Sequence, residues 1–271
     1  MCLILLAWRA HPDFPLVFAG NRDEAYERPS AAAGFWRDDP LVFGGRDLEQ
    51  GGTWLGLTRG GRFAAVTNYR DGRAANPAAP RSRGELTAGF LRGSDEPRSY
   101  LENIAQRGAD YGGHTLILGD SRNWYVYSNR DPAIRELSAG VHGLSNHLLD
   151  TPWPKVSRGK ERLSGLLTKG EKKLVDGLFR ALADRTVAPD VELPDSGIGL
   201  LRERELSPAF IAGERYGTRA STVMLVNSRD EVMFVERRFG AHGAPLGETA
   251  QRLMLQPRAT LPPGKAAGQT V

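Results

Sequence analysis

The start of the chain decides the fold, and its first 24 residues are MCLILLAWRAHPDFPLVFAGNRDE. Cys2–Trp8 is a short, apolar, β-compatible run, which predicts a buried strand. A turn signal follows at residues 11–13, and the apolar residues 15–20 predict a second strand. The chain is therefore expected to open with a β-hairpin, and the polar residues 21–24 come directly after its second strand.

The rest of the chain alternates between hairpins and paired helices. Hairpins are predicted at residues 53–68, 114–128 and 221–236, and a short strand at residues 141–145. Helices are predicted at residues 82–91, 97–107, 155–167 and 171–182. Consecutive hairpins imply antiparallel sheets, so this order predicts an α+β fold of two packed sheets with helices outside them. We expect one domain over residues 1–256 and a disordered tail, rich in Pro, Gly and Ala, at residues 257–271.

The composition excludes several classes of protein. The 271 residues carry a net charge of +4, but the Lys and Arg are scattered, so we expect no nucleic-acid partner. A single cysteine rules out an internal disulfide and CxxC-type zinc sites, and we expect no metal or cofactor. No apolar run approaches the roughly 20 residues that span a bilayer, and the start is a poor signal peptide. These features predict a cytoplasmic protein without a membrane span.

The position of the one cysteine, Cys2, has a chemical consequence. Methionine aminopeptidases remove Met1 when the next side chain is small, which would leave a free α-amine and a thiol on Cys2. With a pKa of about 7.7 to 8.0, such an amine supplies some free base near neutral pH and can take the thiol proton. The alternative is a small buried apolar residue on a strand, which is a common place for a free cysteine.

Three polar residues are candidates to support a nucleophile at this position. Asp23 lies past the predicted end of the second strand, which an antiparallel hairpin brings back beside Cys2, and a carboxylate can orient an amine. Asn68 and Asn146 each stand at the end of a predicted strand, and amide side chains can donate hydrogen bonds to an oxyanion. Each asparagine taken alone also fits a turn or a helix cap.

Four segments of the chain together resemble the NRDE family, whose best-known eukaryotic branch is the transport and Golgi organisation protein 2 family. They are FAGNRDE at residues 18–24, GGRDLEQGGTWLGLTRGGRFAAVTNYRD at 44–71, GLSNHLLDTPWPK at 143–155 and GTRASTV at 217–223. The similarity runs from Cys2 to about Glu236 and so covers most of the chain. Four separated motifs in the expected order make the resemblance specific.

This resemblance implies the fold of the N-terminal nucleophile (Ntn) hydrolases, a four-layer αββα sandwich of two mainly antiparallel sheets. The chain is then similar to choloylglycine hydrolases and penicillin-related acyltransferases, in which an N-terminal cysteine attacks an amide or thioester carbonyl. On this pattern Cys2 is the nucleophile, Asp23 holds its amine, and Asn68 and Asn146 form the oxyanion hole. Arg219 would match a late arginine that steadies the nucleophile and its partners.

The motif departs from its relatives at Arg22, which is adjacent to Asp23 and not separated from it by two residues. Neighbouring residues of a strand face opposite ways, so without a turn or bulge only one of the two can point at the sulfur. Arg22 would then form a structural ion pair. Arg22 is a second-tier candidate, as are Asn21 and His147, the residue after Asn146.

Aromatic residues flank the predicted site loops. Trp54, Tyr69 and Trp153 are candidates to line an apolar acyl pocket, and ordinary core packing is the alternative.

The leading functional prediction is a cysteine amidohydrolase or acyltransferase. It would act on a non-peptide carbon–nitrogen bond or a thioester of a small molecule, through an acyl-Cys2 intermediate. The alternative is a non-catalytic carrier of haem or a lipid-like ligand with a role in haem or lipid homeostasis, in which Cys2 or a nearby histidine such as His147 would ligate iron. A role in organising the secretory pathway through partners is a third hypothesis, and the sequence shows no docking segment for it.

Overall fold

The computed structural model describes residues 2–74 and 79–256 of the chain. The strands in these two segments are β1 (Cys2–Trp8), β2 (Leu16–Ala25), β3 (Ser30–Phe35), β4 (Val42–Asp47), β5 (Leu55–Thr58), β6 (Phe63–Asn68), β7 (His114–Gly119), β8 (Trp124–Ser128), β9 (Asp131–Glu136), β10 (Gly140–Leu144), β11 (Tyr216–Val226), β12 (Glu231–Phe239) and β13 (Pro245–Met254). The α-helices are α1 (Gly84–Arg92), α2 (Pro97–Ala105), α3 (Pro154–Ser164), α4 (Glu171–Leu182) and α5 (Leu200–Leu206).

The strands form two antiparallel sheets. The six-stranded sheet has the order β10-β1-β2-β11-β12-β13, and the seven-stranded sheet runs from β3 to β9 in chain order. Strand β1 pairs with β10 on one side and with β2 on the other. The N-terminal strand is therefore an inner strand, and both of its edges are hydrogen-bonded.

Apolar side chains fill the space on both faces of the six-stranded sheet. On one face Ile4 and Phe18 pack against Phe63 and Trp124 of the other sheet. On the other face Leu3, Leu5 and Val17 pack against residues of α3 and α4, and a third cluster joins the seven-stranded sheet to α1 and α2. Because β1 is buried on both faces, its sequence is a continuous apolar run with no polar alternation. These layers are an αββα sandwich, which confirms the predicted fold class.

Three further expectations concern the whole chain. The single domain over residues 1–256 stays a prediction. The expected tail at residues 257–271 lies outside the described residues. Among the helices that the structure describes, none is long and apolar enough to cross a membrane.

The expected end of the second strand was wrong. Strand β2 continues through the polar residues 21–24 and ends at Ala25. The reason is that β2 is an inner strand: β1 pairs with it up to the Cys2–Arg22 pair, and β11 pairs with it as far as Ala25. Hydrogen bonding to β11 along the whole polar segment, and to β1 as far as Arg22, keeps it extended, and apolar pattern alone does not predict that.

Several elements were absent from the sequence-based expectation. Three of them, β3, β9 and β13, are edge strands of the two sheets. Edge strands are partly solvated and carry little of the apolar pattern by which strands are recognised: most residues of β13 are exposed. The inner strand β4 and the short helix α5 were also missed.

Candidate active site

The Cys2 thiol lies at the start of β1 and faces the space between the sheets. Cys2 is opposite Arg22 in the antiparallel register, and its backbone carbonyl accepts a hydrogen bond of 3.0 Å from the Ser145 hydroxyl. The residue is only 7% exposed, and it lines a cavity of about 630 Å³ whose walls come from both sheets. Burial raises the pKa of the thiol, so the resting sulfur is protonated at neutral pH and needs a base to become a nucleophile.

The segment of residues 21–24 presents two different faces, because it is part of a strand. Arg22 and Glu24 line the cavity together with Cys2. The Asn21 side chain turns the other way, towards the helical layer. Its amide donates to the carbonyls of Leu182 and Ala209 at 2.9 and 2.7 Å, and its oxygen accepts a hydrogen bond from Ser221 at 2.6 Å. Asn21 therefore joins β2 to the helical layer and does not face the thiol.

Asp23 is buried, and strand alternation places its side chain on the side of Asn21, although the residue also borders the cavity beside Cys2. Its Oδ1 accepts a hydrogen bond of 2.7 Å from the Thr218 hydroxyl, and its backbone carbonyl accepts one of 3.1 Å from the Tyr216 hydroxyl. Asp23 follows the Cys2–Arg22 pair by one residue, which places it next to the backbone nitrogen of Cys2. Its own backbone N–H donates towards the thiol, and burial raises the pKa of its carboxyl group.

A buried lysine that sequence analysis did not single out lies close to this pair. Lys155 is 4% exposed, and its Nζ donates a hydrogen bond of 2.9 Å to the carbonyl of Leu206. Burial lowers the pKa of Lys155 to about 8, although the charges of Asp23 and Cys2 act in the opposite direction. Its only signal in the sequence was its place at the end of the 143–155 motif.

The two asparagines proposed for an oxyanion hole are in contact but are not equivalent. Asn68 ends β6 and lines the cavity. Asn146 is fully buried, and its side-chain amide donates to the Asn68 backbone carbonyl at 3.1 Å. Its φ of 54° is in the left-handed region, which asparagine tolerates better than most residues. Asn68 is therefore placed to meet a substrate, and Asn146 holds the strand end that carries it.

Arg219 stands at an irregularity of β11, where the register with β2 shifts between Thr218 and Ala220. A bulge of this kind changes the direction of a side chain relative to its neighbours. The guanidinium donates to the carbonyls of Ala25 and Arg28, both at 2.8 Å, and to the Ser30 hydroxyl at 3.1 Å. Arg219 lines the cavity and at the same time fixes the turn between β2 and β3.

Arg22 forms an ion pair, but the expectation that it would do so in place of facing the sulfur was wrong, because the register puts Arg22 opposite Cys2 on the cavity face. Its Nη2 lies 3.9 Å from Oε2 of Glu24, the next residue on the same face. This distance is long for a salt bridge, so the pair leaves hydrogen-bonding capacity on both groups.

The aromatic candidates separate into two groups. Trp54 lines the cavity. Tyr69 and Trp153 lie outside its lining and pack in tilted orientations against the ring of His147, with centroids 4.6 and 5.6 Å away. The two ring nitrogens of His147 are hydrogen-bonded to Tyr69 and Thr151 at 2.7 and 2.9 Å.

Arginines dominate the charged lining of the cavity. The cations are Arg22, Arg28, Arg46, Arg81, Arg83, Arg219 and Arg238, and the carboxylates are Asp23, Glu24, Asp47 and Glu236. Among these, Arg83 was missed in the sequence because its segment was interpreted as the start of a helix. Within the described residues, no group of three or more His, Cys, Asp or Glu side chains could hold a metal ion.

Comparison with other proteins identifies the family. A family model described as Transport and Golgi organisation 2 matches residues 1–241. The chain belongs to this family. The mouse Transport and Golgi organization 2 homolog is 35% identical over 257 residues, covering 88% of this chain and 92% of the mouse protein. The human member is 34% identical over 259 residues with the same two coverages. The predicted resemblance is confirmed.

Solved structures related to this member of the Transport and Golgi organisation 2 family share its fold. One is a Caenorhabditis elegans N-acylethanolamine-hydrolyzing acid amidase ortholog, with a TM-score of 0.50, 14% identity, and coverage of 83% of this chain and 92% of that one. Another is the C2A mutant of conjugated bile acid hydrolase from Clostridium perfringens, with a TM-score of 0.50, 8% identity, and coverage of 94% and 92%. At such identities the likeness establishes the Ntn-hydrolase fold alone.

Proposed function

We propose that the protein is an N-terminal cysteine amidohydrolase or acyltransferase that acts through an acyl-Cys2 intermediate once Met1 has been removed. The observation that carries this proposal is the position of the single thiol. Cys2 begins an inner strand, lines a cavity of about 630 Å³, and has Asp23 beside its backbone nitrogen. The amidohydrolase fold of the solved relatives is consistent with this chemistry.

Removal of Met1 supplies the base that the buried thiol needs. The new α-amine of Cys2 takes the thiol proton, and the thiolate sulfur attacks the carbonyl carbon of the amide or thioester. Asp23 stabilises the ammonium that results, because the strand register places this residue beside Cys2 and Thr218 orients its carboxylate. No histidine is needed for this transfer.

Bond cleavage then follows from the same groups. The sulfur–carbon bond forms, and the carbonyl oxygen becomes an oxyanion near the Asn68 side chain. When the carbonyl re-forms, the carbon–nitrogen or carbon–sulfur bond breaks, and the ammonium returns its proton to the leaving group. Attack by water on the thioester, with the amine again as base, releases a carboxylic acid and regenerates the thiol. An amine or alcohol in place of water gives acyl transfer.

Intact-mass spectrometry tests the proposal directly. We expect the purified protein to have lost Met1 and to gain the mass of one acyl group when incubated with amide or thioester donors. Because the chain has one cysteine, peptide mapping assigns a thioester adduct without ambiguity. A protein that retains Met1 and still turns over the donor would overturn the proposed base, and a Met1-free protein that never forms an adduct would overturn the proposed nucleophile.

The alternative of a haem or lipid carrier receives less support from the site. His147 lies outside the cavity lining, and both of its ring nitrogens are already hydrogen-bonded. The charged lining suits a polar ligand better than an alkyl chain. Titration with haem checks this alternative: a Soret band that disappears in Cys2→Ala would favour it over catalysis.

A further inference from the structure

The Arg83 guanidinium is a cation without a partner in the wall of the cavity. The residue is half-buried, and its side chain makes no hydrogen bond or ion pair with any residue in segments 2–74 and 79–256, although its backbone carbonyl accepts one from Leu86. Burial lowers the pKa of the Arg83 guanidinium, while the Glu24 carboxylate and a thiolate on Cys2 act in the opposite direction because both lie near it. A half-buried guanidinium has given up part of its hydration, so it gains free energy when an anion binds to it.

Close backbone contacts hold Arg83 in place. The next residue, Gly84, packs directly on Gly52, and a Cβ on Gly52 would collide with the Gly84 backbone. The Arg83 side chain runs over Gly112, whose missing Cβ would lie 2.5 Å from Nη1. The guanidinium therefore occupies the space that Gly112 leaves open, and the contact between Gly52 and Gly84 fixes the backbone beside it.

The other cations of the lining differ from Arg83 in one respect. Most of them already have a partner: Arg28 pairs with Asp47, Arg46 with Asp38, Arg81 with Glu85 and Arg22 with Glu24, and Arg219 donates to backbone carbonyls. Arg238 also lacks a carboxylate partner among the described residues, but its guanidinium lies over Gly247 and its charge acts on Glu236, whereas Arg83 interacts with Cys2. Arg83 is thus the unpaired cation whose charge interacts with the sulfur.

We propose that Arg83 binds a carboxylate of the substrate beside the Cys2 sulfur, so that preferred substrates are acyl compounds with a carboxylate a few bonds from the scissile carbonyl. That the bound carboxylate belongs to a substrate rests on the proposed function. That Arg83 binds an anion beside Cys2 does not. The fork of the guanidinium matches the two oxygens of a carboxylate. Arg83 acts as a binding residue and takes no part in proton transfer.

Two alkylating reagents of nearly equal size test the site without any turnover. Iodoacetate and iodoacetamide both lose iodide when the thiolate attacks their methylene carbon, and they differ in having a carboxylate or a neutral amide. We expect Arg83→Gln to slow alkylation of Cys2 by iodoacetate about 10-fold, in line with a lost charge-assisted hydrogen bond, and to leave the iodoacetamide rate within about 2-fold. The ratio of the iodoacetate rate to the iodoacetamide rate is the measured quantity. Any change in the fraction of thiolate affects both rates equally and cancels in this ratio.

Matched variants separate a direct contact of Arg83 with the carboxylate from a general effect of positive charge in the cavity. Arg238→Gln removes the same charge from the same cavity and should leave the ratio unchanged. Arg83→Lys keeps the charge without the fork and should give an intermediate ratio. Gly112→Ala should lower the ratio as well, because its methyl group would displace the guanidinium.

The outcomes decide between the two proposals. An unchanged ratio in Arg83→Gln, or an equal fall in Arg238→Gln, would overturn the anion site even if acyl adducts form on Cys2. An Arg83-dependent ratio without any acyl adduct would sink the proposed function and keep the anion site. If Arg83→Gln does not fold, competition on the unchanged protein serves instead: malonate should protect Cys2 from alkylation, and malonamide should not.

Discussion

The two faces of residues 21–24 in β2 differ in how completely their polar groups are paired. On the helix-facing side, Asn21 makes three hydrogen bonds of 2.9 Å or less, and Asp23 accepts from Thr218. On the cavity side, Arg22 and Glu24 are 3.9 Å apart. Saturated polar groups fix a structure, whereas groups with spare hydrogen-bonding capacity can meet a ligand.

This difference divides one sequence motif into two kinds of residue. The helix-facing residues hold β2 against α4 and β11, and so fix the register that places Arg22 opposite Cys2. The cavity-facing residues are presented by that register. Variants on the cavity side should therefore change the chemistry of Cys2 at constant stability, and variants of Asn21 should change stability first. Asp23 belongs to both groups, because it packs with Asn21 and also borders the cavity.

The strongest test of the cavity side is Cys2→Ala. We expect acyl-adduct formation and turnover to fall by at least about 10³-fold, because the nucleophile is lost. The melting temperature should stay within a few degrees of the parent, since the change removes one sulfur from the wall of an open cavity. Activity assays and thermal melts of the same preparation check both statements, and Cys2→Ser serves as a control that keeps a weaker nucleophile. Full activity in Cys2→Ala would show that the cavity-facing side does not carry the nucleophile.

Asn68→Ala addresses the oxyanion on the cavity side. Loss of one donor should slow acylation of Cys2 by about 10²- to 10³-fold. Alkylation by iodoacetamide forms no oxyanion, so its rate should not change. Stopped-flow or mass-spectrometric rates with an acyl donor and with iodoacetamide make the comparison. Equal slowing of both reactions would mean that Asn68 positions the thiol and does not stabilise an oxyanion.

On the helix-facing side, Asn21→Leu keeps the branched shape of the side chain and removes every hydrogen bond of the amide. The carbonyls of Leu182 and Ala209 and the Ser221 hydroxyl would then lack this partner. We expect the free energy of unfolding to fall by roughly 2 to 4 kcal/mol, measured by urea denaturation.

The matched control for this variant is Asn123→Leu, at an exposed turn, which should change stability by less than about 0.5 kcal/mol. In Asn21→Leu that remains folded, the ratio of the iodoacetate and iodoacetamide rates should equal that of the parent. A shifted ratio at constant stability would show that the two faces are not separate.

The sequence predicted more of the cavity side than of the helix-facing side. Cys2 could be found from its position, and Asn68 from its place at the end of a strand with a regular apolar pattern. The strand character of residues 21–24 could not be found, because it depends on pairing with β11, about 195 residues away in the chain. Partners that far apart leave no local pattern.

The charged residues that were missed have a common reason. Lys155 and Arg83 both stand at the start of predicted helices, where a cation is ordinarily solvated. Lys155 is buried only because the segment around Leu206 covers it, and Arg83 is half-buried only because two glycines allow close packing. The burial of both cations therefore depends on tertiary contacts, which the local sequence does not reveal.

The smallest expected effect concerns Lys155 and the pH dependence of stability. Its pKa is about 8 in the folded protein and about 10.5 in an unfolded chain. Between these values the unfolded chain binds a proton that the folded protein has released, so the contribution of Lys155 to stability rises with pH and is lost as the pH falls from 10.5 towards 8. The slope is at most about 1.4 kcal/mol per pH unit.

Comparison with Lys155→Met isolates this contribution, because every other group that titrates in the window is common to both proteins. The difference in unfolding free energy, parent minus variant, should increase between pH 8 and pH 10 and stay flat between pH 6 and pH 7. Lys173→Met, at an exposed position of α4, is the matched control and should give a flat difference throughout. A flat difference for Lys155→Met as well would mean that the lysine keeps its proton in the folded state. The charge of Asp23 would then offset the cost of burial and keep the Lys155 ammonium protonated across the whole window.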